Sequence, residues 1–247
     1  MLVSAFKKFL QSWLAPVPYI ESSHTLEGSI ILVTGGGSGI GKAIVELVNK
    51  RGATAIILDR AKNPKGVTSK TTHPVDVTDY QSVDSTIAKI YNEFGRIDAL
   101  INCAGIFADK KLLDSGIQEF RQVIEVNLLG TVNTTRAVLP YMVKQKVGAI
   151  INIGSKISHN TNVDPGKVAY ATSKYAVEGF SFALNKELKG SGVRVTCLMP
   201  GTVATFLSKE NHSYLTPHDI AGVVAFVLES KNLDIESLVV KSTRQNI

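Results

Sequence analysis

Two kinds of hydrophobic pattern alternate along most of the chain. Unbroken apolar runs predict buried strands, and apolar residues that recur every three or four positions predict helices with one buried face. The runs lie at 29–33, 53–59, 72–76, 97–102, 148–153, 193–198 and 236–240. The helical segments lie at 42–50, 78–94, 118–143, 168–189 and 217–228. This alternation predicts an α/β fold, a doubly wound parallel sheet of about seven strands with helices on both faces.

A glycine-rich segment, Thr34-Gly-Gly-Gly-Ser-Gly-Ile-Gly41, joins the first predicted strand to the first predicted helix. Glycine allows positive φ angles and a close approach of the backbone to a ligand, and the N-terminus of the following helix offers N–H donors to an anion. The segment therefore suits a pyrophosphate group, although glycine-rich turns also serve simply to connect strands. Ligands of doubly wound sheets bind beyond the carboxyl ends of the strands, so the residues that follow the other strands decide between the two interpretations.

Asp59 ends the second predicted strand, eighteen positions after Gly41. A carboxylate at this place accepts hydrogen bonds from the ribose hydroxyls of adenosine and repels a 2′-phosphate, which favours NAD over NADP. Arg60 follows at once and could pair with such a phosphate, whereas Ser38 in the glycine turn supplies no second basic residue. NADP stays open as the less favoured cofactor, and a solvated loop carboxylate stays open as the alternative interpretation of Asp59.

The segment Tyr170-Ala-Thr-Ser-Lys174 lies in the fourth helical segment. Residues four apart share one face of a helix, so the hydroxyl and the ammonium are expected on the same side. A neighbouring positive charge favours the phenolate form of a tyrosine, which makes the hydroxyl a usable general acid or base. Taken alone, a tyrosine and a lysine at this spacing are usually an exposed helical pair, so this interpretation depends on the residues upstream.

Composition narrows the possible partners. The chain has 247 residues, 44% hydrophobic and 19% charged, which suits a single domain with a large core, expected to span 28–247. The formal net charge is +6, but the basic residues are scattered, so nucleic acid is not an expected partner. Cys103 and Cys197 lie in separate apolar runs, which predicts buried thiols and favours a reducing, cytoplasmic location. The histidines show no ligand spacing, and no metal is expected.

Residues 1–27 form an amphipathic N-terminal extension. Its apolar residues share one helical face until Pro16 and Pro18 end the pattern, and Lys7 and Lys8 lie on the other face. The stretch is too short and too interrupted by lysine to span a membrane, and its lysines are misplaced for a secretory signal. Three hypotheses stay open: an appendage packed on its own domain or a partner, a peripheral membrane contact through residues 1–15, and an organelle-targeting segment.

Together these motifs resemble the short-chain dehydrogenase/reductase family in its typical single-domain form, over Gly28 to about Val240. The glycine turn has the family's Thr-Gly-x-x-x-Gly-x-Gly spacing, which differs from the common G-x-G-x-x-G fingerprint. The family's Asn-Asn-Ala-Gly motif is present as Asn102-Cys-Ala-Gly105, with one departure. The residues that match the family's catalytic set are Asn127, Ser155, Tyr170 and Lys174.

The resemblance implies a Rossmann-like fold and a hydride transfer between a nicotinamide cofactor and an alcohol or carbonyl substrate. Ser155 would bind the substrate oxygen, Tyr170 would exchange its proton, Lys174 would favour the phenolate and bind the nicotinamide ribose, and Asn127 would hold a water that continues the proton path. The expected cofactor contacts are Thr34, Gly35, Ser38, Gly39, Ile40, Gly41, Asp59, Arg60, Asp76, Val77, Asn102, Ala104, Gly105, Tyr170, Lys174, Pro200, Gly201, Val203 and Thr205.

The identity of the serine has a competing assignment. Fifteen positions separate Ser155 from Tyr170, slightly more than is common in the family, and Ser158 lies closer to the usual separation. However, Asn152-Ile-Gly-Ser155 fits the family's Asn-Ile-Ser-Ser at the end of the strand. The sequence therefore favours Ser155.

The sequence leaves the substrate open. The segment 205–217 is short for the part that covers the substrate in this family, which favours an open site for a small or medium alcohol, ketone or hydroxy acid. Phe107 is a candidate apolar wall. A non-catalytic dinucleotide-binding sensor or scaffold is the alternative function. The two long helical segments carry apolar residues beyond the needs of one sheet face, including Phe180, Phe182 and Leu184, and in this family they form subunit contacts, so a homodimer or homotetramer is expected.

Overall fold

The computed structural model describes residues 25–61, 71–159, 163–204 and 215–243. Most of the amphipathic extension, residues 1–24, lies outside the described residues, as does the expected cofactor contact Thr205. Among the helices that are described, none is both long and apolar enough to cross a membrane.

Seven parallel strands form one sheet in the order β3-β2-β1-β4-β5-β6-β7. This confirms the predicted doubly wound fold. The strand order reverses between β1 and β4: from β1 the chain continues to β2 and β3 on one side, and then crosses to β4 and continues to β7 on the other side. The strands are β1 (Ile30–Thr34), β2 (Thr54–Asp59), β3 (Thr71–Pro74), β4 (Ala99–Asn102), β5 (Gly148–Ile153), β6 (Val193–Pro200) and β7 (Ser237–Val240).

Helices follow the strands as the hydrophobic pattern predicts. The described helices are α1 (Gly39–Lys50), α2 (Tyr80–Phe94), α3 (Ile117–Ile124), α4 (Gly130–Gln145), α5 (Val168–Glu187) and α6 (Pro217–Glu229). A 3₁₀ segment, Lys156–His159, lies between β5 and α5.

Alternate residues of each strand enter two separate hydrophobic cores, because successive side chains of a strand point to opposite faces. Ile31 and Val33 pack with α1 and α6 on one face. Ile30 and Leu32 pack with α2, α4 and α5 on the other. Both faces of the central strands are therefore buried, which leaves the carboxyl edge of the sheet as the open place for a ligand.

The predicted helix 118–143 is a continuous helical region with an irregular middle. A π-helical segment, Glu125–Leu129, separates α3 from α4, and the Gly130 N–H bonds to the Glu125 oxygen five residues earlier. Such segments frequently occur at functional sites. The hydrophobic period does not reveal this change because it alters the hydrogen-bond register over only one turn.

The expectation for the apolar surface of the long helices was partly wrong. Leu184 belongs to the core on the α2, α4 and α5 face, and Phe180 packs against that core. The exposed face of α5 carries Val168, Thr172, Tyr175, Gly179 and Ala183. An uncharged surface therefore exists over most of this helix, but it is formed mainly by smaller residues than those named from the sequence.

Candidate active site

The ends of β1 and β4 are tied together where the strand order reverses. The buried Thr34 hydroxyl oxygen accepts hydrogen bonds from the backbone N–H groups of Cys103 at 2.9 Å and Ala104 at 3.0 Å. This fixes the segment that follows β4 against the glycine turn that follows β1. The two segments border the crevice at the switch point, where doubly wound sheets bind ligands.

The glycine turn is too tight to admit side chains at two of its positions. Gly35 has φ of +64°, and a Cβ there would lie 2.9 Å from the Cα of Ala104. A Cβ at Gly41 would overlap the carbonyl group of Gly35, only 2.8 Å from its carbon. Glycine is thus required by the contact between turn, helix and β4 segment, as well as by the backbone angle.

The N-terminus of α1 presents backbone donors that no side chain caps. Ser38 is the N-cap residue but makes no side-chain cap hydrogen bond, and the first turn carries no acidic residue. In contrast, α2 is capped by Asp79 and α6 has a complete capping box from Thr216 and Asp219. The α1 donors and the positive end of its dipole fit the phosphates of a dinucleotide.

Asp59 lies at the end of β2 beside this turn. One carboxylate oxygen accepts a hydrogen bond from the backbone N–H of Gly37 at 3.0 Å, and the other accepts from Ala61 at 3.0 Å. These two bonds hold the carboxylate beside the glycine turn. Sequence reasoning did not identify the part played by Gly37, since the contact depends on how the turn folds back onto β2.

Asp76 and Arg60 belong to the same edge of the site. Hydrogen bonds from the backbone and hydroxyl of Thr78, opposed by partial burial, lower the pKa of the Asp76 carboxyl, and the positive charge of Arg60 adds to this shift. The Asp76 carboxyl therefore remains ionised at neutral pH. Val77 is buried, and its backbone oxygen accepts a hydrogen bond from Asn133.

Tyr170 and Lys174 share one face of α5, as predicted. The Lys174 ammonium lies 5.7 Å from the centre of the Tyr170 ring and donates to the carbonyl oxygen of Ile153, at the end of β5, at 2.8 Å. A Cβ at Gly105 would lie 3.9 Å from the same ammonium, so the charge is also close to the segment that follows β4. Phe107 packs edge-on against the Tyr170 ring at 4.9 Å. Among the described residues the Tyr170 hydroxyl has no hydrogen-bond partner, which leaves it available to a substrate.

The two candidate serines have different surroundings. The Ser158 side chain is buried, and its hydroxyl donates to the Ser155 carbonyl oxygen at 2.9 Å and contacts the Met199 sulfur at 3.5 Å. The Ser155 hydroxyl oxygen accepts a hydrogen bond from the Ile157 N–H at 3.3 Å. Among the described residues, no acceptor is bonded to the O–H of Ser155 itself. Ser155 can therefore donate to a substrate oxygen, whereas Ser158 supports the backbone of Ser155.

Asn127 lies in the π-helical segment and is almost fully buried, with 1% of its surface exposed. Its amide group exchanges two hydrogen bonds with the backbone of Ile106 and donates a third to the Ser173 hydroxyl. Ser173 in turn donates to the carbonyl oxygen of Tyr170 at 2.7 Å. Asn127 thus links the segment after β4 to the helix that carries Tyr170.

Asn102 belongs to a buried polar network below the site. Its amide donates to Thr135 and to Asn152 and accepts from Thr134, and Asn152 donates on to Ser181. These bonds tie the ends of β4 and β5 to the helices behind them. The side chain is therefore committed to the fold, and any contact of Asn102 with a cofactor would come from its backbone.

Neither cysteine is a candidate nucleophile. Burial raises the pKa of Cys103 to about 12, against the opposing influence of Lys174 and of a hydrogen bond that the Gly41 backbone donates to the sulfur. Burial likewise raises the pKa of Cys197 to about 11. The Cys103 residue is partly accessible as a whole, but its sulfur is enclosed by protein, and the thiol environment decides its reactivity.

The structure brings the expected residues that it describes, all except Thr205, to one edge of the sheet. They end or follow β1, β2, β3, β4, β5 and β6, begin α1, or lie on the inner faces of the π-helical segment and α5. Pro200 ends β6, Gly201 bonds to the β7 residue Val240, and Val203 pairs with Leu215. The residues that sequence reasoning missed, chiefly Gly37, Ile106 and Ser173, act through backbone atoms or through a side chain that contacts another site residue.

Comparisons with known proteins agree in matching this chain to dehydrogenases, reductases and other oxidoreductases. A family described as short chain dehydrogenase matches residues 29–215. The chain is 37% identical over 194 residues to the 3-oxoacyl-[acyl-carrier-protein] reductase FabG of Thermotoga maritima, covering 75% of this chain and 78% of that protein. It is 35% identical over 228 residues to an uncharacterized oxidoreductase of Staphylococcus aureus strain MRSA252, covering 87% and 98% respectively. The ligand-free aldohexose dehydrogenase of Thermoplasma acidophilum superposes with a TM-score of 0.79 at 25% identity, covering 90% of this chain and 98% of that one.

Proposed function

The chain is an oxidoreductase that belongs to the short chain dehydrogenase family, and we propose that it transfers a hydride between a nicotinamide cofactor and its substrate. In this proposal the preferred cofactor is NAD. The substrate is a small or medium alcohol, ketone or hydroxy acid, which reacts at its CH–OH or carbonyl carbon. One observation carries the proposal. The Tyr170 hydroxyl is unpartnered among the described residues, and the Lys174 ammonium lies 5.7 Å from its ring at the carboxyl ends of β4 and β5.

In this proposal each residue of the set has one task. Ser155 donates its O–H to the substrate oxygen, and Tyr170 takes the proton of an alcohol or returns it to a ketone. Lys174 stabilises the negative charge that Tyr170 carries before it takes the alcohol proton, or after it gives its proton to the ketone, because an ammonium beside a phenol favours its ionised form. The Asn127 amide holds the Ile106 segment, and its oxygen has a second lone pair that can accept from the water of the proposed proton path.

The cofactor fits the residues at the carboxyl edge. The uncapped N–H groups of α1 would bind its pyrophosphate, Asp59 its adenosine ribose, and Lys174 its nicotinamide ribose. Asp76 and Val77, and the segments at Ala104 and Pro200, would border the rings. The bound nicotinamide supplies the hydride acceptor or donor, so the protein's own work is positioning and charge stabilisation.

An absorbance assay tests the function directly. Turnover is followed at 340 nm with NAD, NADP and their reduced forms against alcohols, ketones and hydroxy acids. The panel also includes aldohexoses and 3-oxoacyl thioesters, because two relatives are named for such substrates. If no substrate of the panel is turned over but a titration shows that the dinucleotide binds, the result would favour the sensor or scaffold function instead.

Asp59→Asn should weaken the preference for NAD. The amide keeps an acceptor for the Gly37 N–H but removes the charge that repels a 2′-phosphate. We expect the ratio of the NADP and NAD dissociation constants to fall by about tenfold, which corresponds to roughly 1.4 kcal/mol. Fluorescence titration with both reduced cofactors measures the ratio. Glu236→Gln removes a charge at the opposite edge, before β7, and should leave the ratio unchanged; an equal ratio in both variants contradicts the assignment of Asp59.

The Ser155 assignment has a paired test. Ser155→Ala should lower kcat/KM by about 10²-fold, because the hydroxyl donates to the developing negative charge on the substrate oxygen. Ser158→Ala removes only the support of the Ser155 carbonyl and should cost much less. Steady-state kinetics of both variants decide the matter, and a larger loss in Ser158→Ala would reverse the assignment.

We also propose a homo-oligomer, a dimer or tetramer, formed through the long helices. The exposed face of α5 carries two larger residues, Val168 and Tyr175. Its other exposed residues include the smaller Thr172, Gly179 and Ala183, which permit close contact with another helix. Leu129, which ends the π-helical segment, is also exposed. Light scattering should give a mass of two or four chains at micromolar concentration, and a monomer would refute the proposal.

A peripheral membrane contact through residues 1–15 remains a separate proposal. It is supported by the amphipathic pattern of that stretch alone. Flotation with anionic vesicles should carry the full chain and leave a chain that starts at Gly28 behind. Equal recovery of the two would remove the proposal.

A further inference from the structure

Three ionisable side chains lie along one line of α5, and the proposed reaction uses only two of them. Tyr170, Lys174 and Glu178 are spaced by four residues, so they share one helical face. The Glu178 side chain is only 12% exposed, which is unusual for a carboxylate. Its partner is His159, whose Nε2 lies 2.8 Å from the carboxylate oxygen.

The partner lies at the end of the segment that carries Ser155. His159 is the last residue of the 3₁₀ segment Lys156–His159, and the Ser155 carbonyl oxygen accepts hydrogen bonds from the N–H and the hydroxyl of Ser158. The segment is therefore braced internally. Its other end is held by Lys174, which donates to the carbonyl oxygen of Ile153 at 2.8 Å.

We propose that the contact between His159 and Glu178 is a positioning device, called the anchor below, that fixes Ser155 relative to Tyr170. The backbone from Ile153 to His159 is attached to α5 at both ends, by Lys174 and by Glu178, and Tyr170 is carried by the same helix. The hydroxyls of Ser155 and Tyr170 are thereby both held in place by the same helix, α5. The inference rests on the proposed function, because it is the proposed reaction that requires the two hydroxyls to meet one substrate oxygen.

Glu178 lies among closely packed elements of the fold. Helix α5, which carries Glu178, packs against both β6 and the 3₁₀ segment Lys156–His159. A Cβ on Gly154 would come within 3.0 Å of the Cys197 sulfur, which shows how closely the Ser155 segment packs on β6. Glu178 thus lies where α5, β6 and the Ser155 segment meet.

The contact requires a donor at the Nε2 position of His159 rather than a particular charge. An imidazolium and one neutral tautomer both supply an Nε2–H. Glutamine carries an amide N–H₂ at a similar distance from its backbone, so His159→Gln can keep the hydrogen bond that His159→Ala removes. The His159 side chain is 47% exposed, and its truncation leaves the core intact.

Kinetics of His159→Ala, Glu178→Ala, the double variant and His159→Gln test the anchor. Since small displacements of reacting groups are costly, each single truncation should lower kcat for the substrate about tenfold and leave the cofactor dissociation constant within about twofold. The double variant should match the single ones, because the second truncation removes a group that has already lost its partner. His159→Gln should recover most of the loss. Glu236→Ala removes the exposed ion pair with Lys186 on the same helix and should change nothing.

Three kinetic outcomes would overturn the anchor: single variants with wild-type kcat, a double variant whose loss is the product of the two single losses, or His159→Gln as impaired as His159→Ala. Failure of the proposed function is distinguishable, because it appears as absent turnover in the unsubstituted chain. Amide hydrogen exchange of the segment 155–159 needs no turnover. It should be about tenfold faster in Glu178→Ala than in Glu236→Ala, and equal rates in the two also overturn the anchor.

Discussion

Tyr170→Phe is expected to lose most turnover while binding the cofactor as before. The substitution keeps the ring that packs edge-on against Phe107 at 4.9 Å and removes only the hydroxyl. A positioned acid or base typically contributes about 10² to 10⁴ in rate, so kcat should fall by a factor in that range. Steady-state assays at 340 nm measure the loss, and fluorescence titration measures the dissociation constant of the reduced cofactor.

The matched control for this substitution is Tyr175→Phe, which removes a tyrosine hydroxyl from the outer face of the same helix. It should retain near-wild-type kcat. Near-wild-type turnover in Tyr170→Phe would show that another group exchanges the proton. A loss of cofactor binding in Tyr170→Phe would contradict the division of tasks between Tyr170 and Lys174, because Lys174 is unchanged in this variant.

The fold was predictable because its strands are unusually easy to identify in sequence. Strands buried on both faces give continuous apolar runs, such as the one that became β1, and these runs are distinct from the helical spacing of α1 and α2. The order in which the runs pair follows from right-handed crossovers and from the resemblance to a known family. The segment ends were less exact, as β3 shows, since it stops at Pro74 rather than Asp76.

The position of a candidate site residue was predictable where that residue lies next to a strand end. Asp59 ends one buried run and Ser155 follows another, and parallel strands bring such positions to one edge. Tyr170 and Lys174 were predictable because helical spacing puts them on one face. The same spacing extends to Glu178, so the third member of that line was within reach of the sequence.

The contacts that were not predictable depend on backbone atoms and on register. The N–H of Gly37 meets Asp59 because of how the glycine turn folds, and no side-chain pattern encodes this. The Asn127 amide reaches Ile106 and Ser173 from a π-helical segment whose register cannot be read from hydrophobic period. Leu184 was misassigned to the outer face of α5 because apolar residues lie on both the buried and the exposed side of this helix, which gives a weak signal for which side is buried.

Gly41→Ala is expected to weaken cofactor binding at least tenfold. The new methyl group would overlap the Gly35 carbonyl group and lie 3.1 Å from the Cα of Gly36, and both neighbours are backbone that cannot rotate away. The turn must therefore open, which displaces the N–H groups that would hold the pyrophosphate. We expect the dissociation constant to rise at least tenfold, or roughly 1.4 kcal/mol, and overpacking to cost about 1–3 kcal/mol of stability.

Two other glycine substitutions separate loss of binding from loss of stability. Gly222→Ala adds a methyl group on α6 where nothing lies within 4 Å, and it should leave both properties unchanged or raise stability by about 0.5–1 kcal/mol. Gly148→Ala overpacks the opposite edge of the sheet, since its methyl group would lie 2.7 Å from the Met142 sulfur. It should lower the melting temperature without weakening the cofactor, because the start of β5 is remote from the glycine turn. If Gly41→Ala binds the cofactor as tightly as Gly148→Ala does, the glycine turn is not the pyrophosphate site, and the donors must be sought elsewhere along the carboxyl edge.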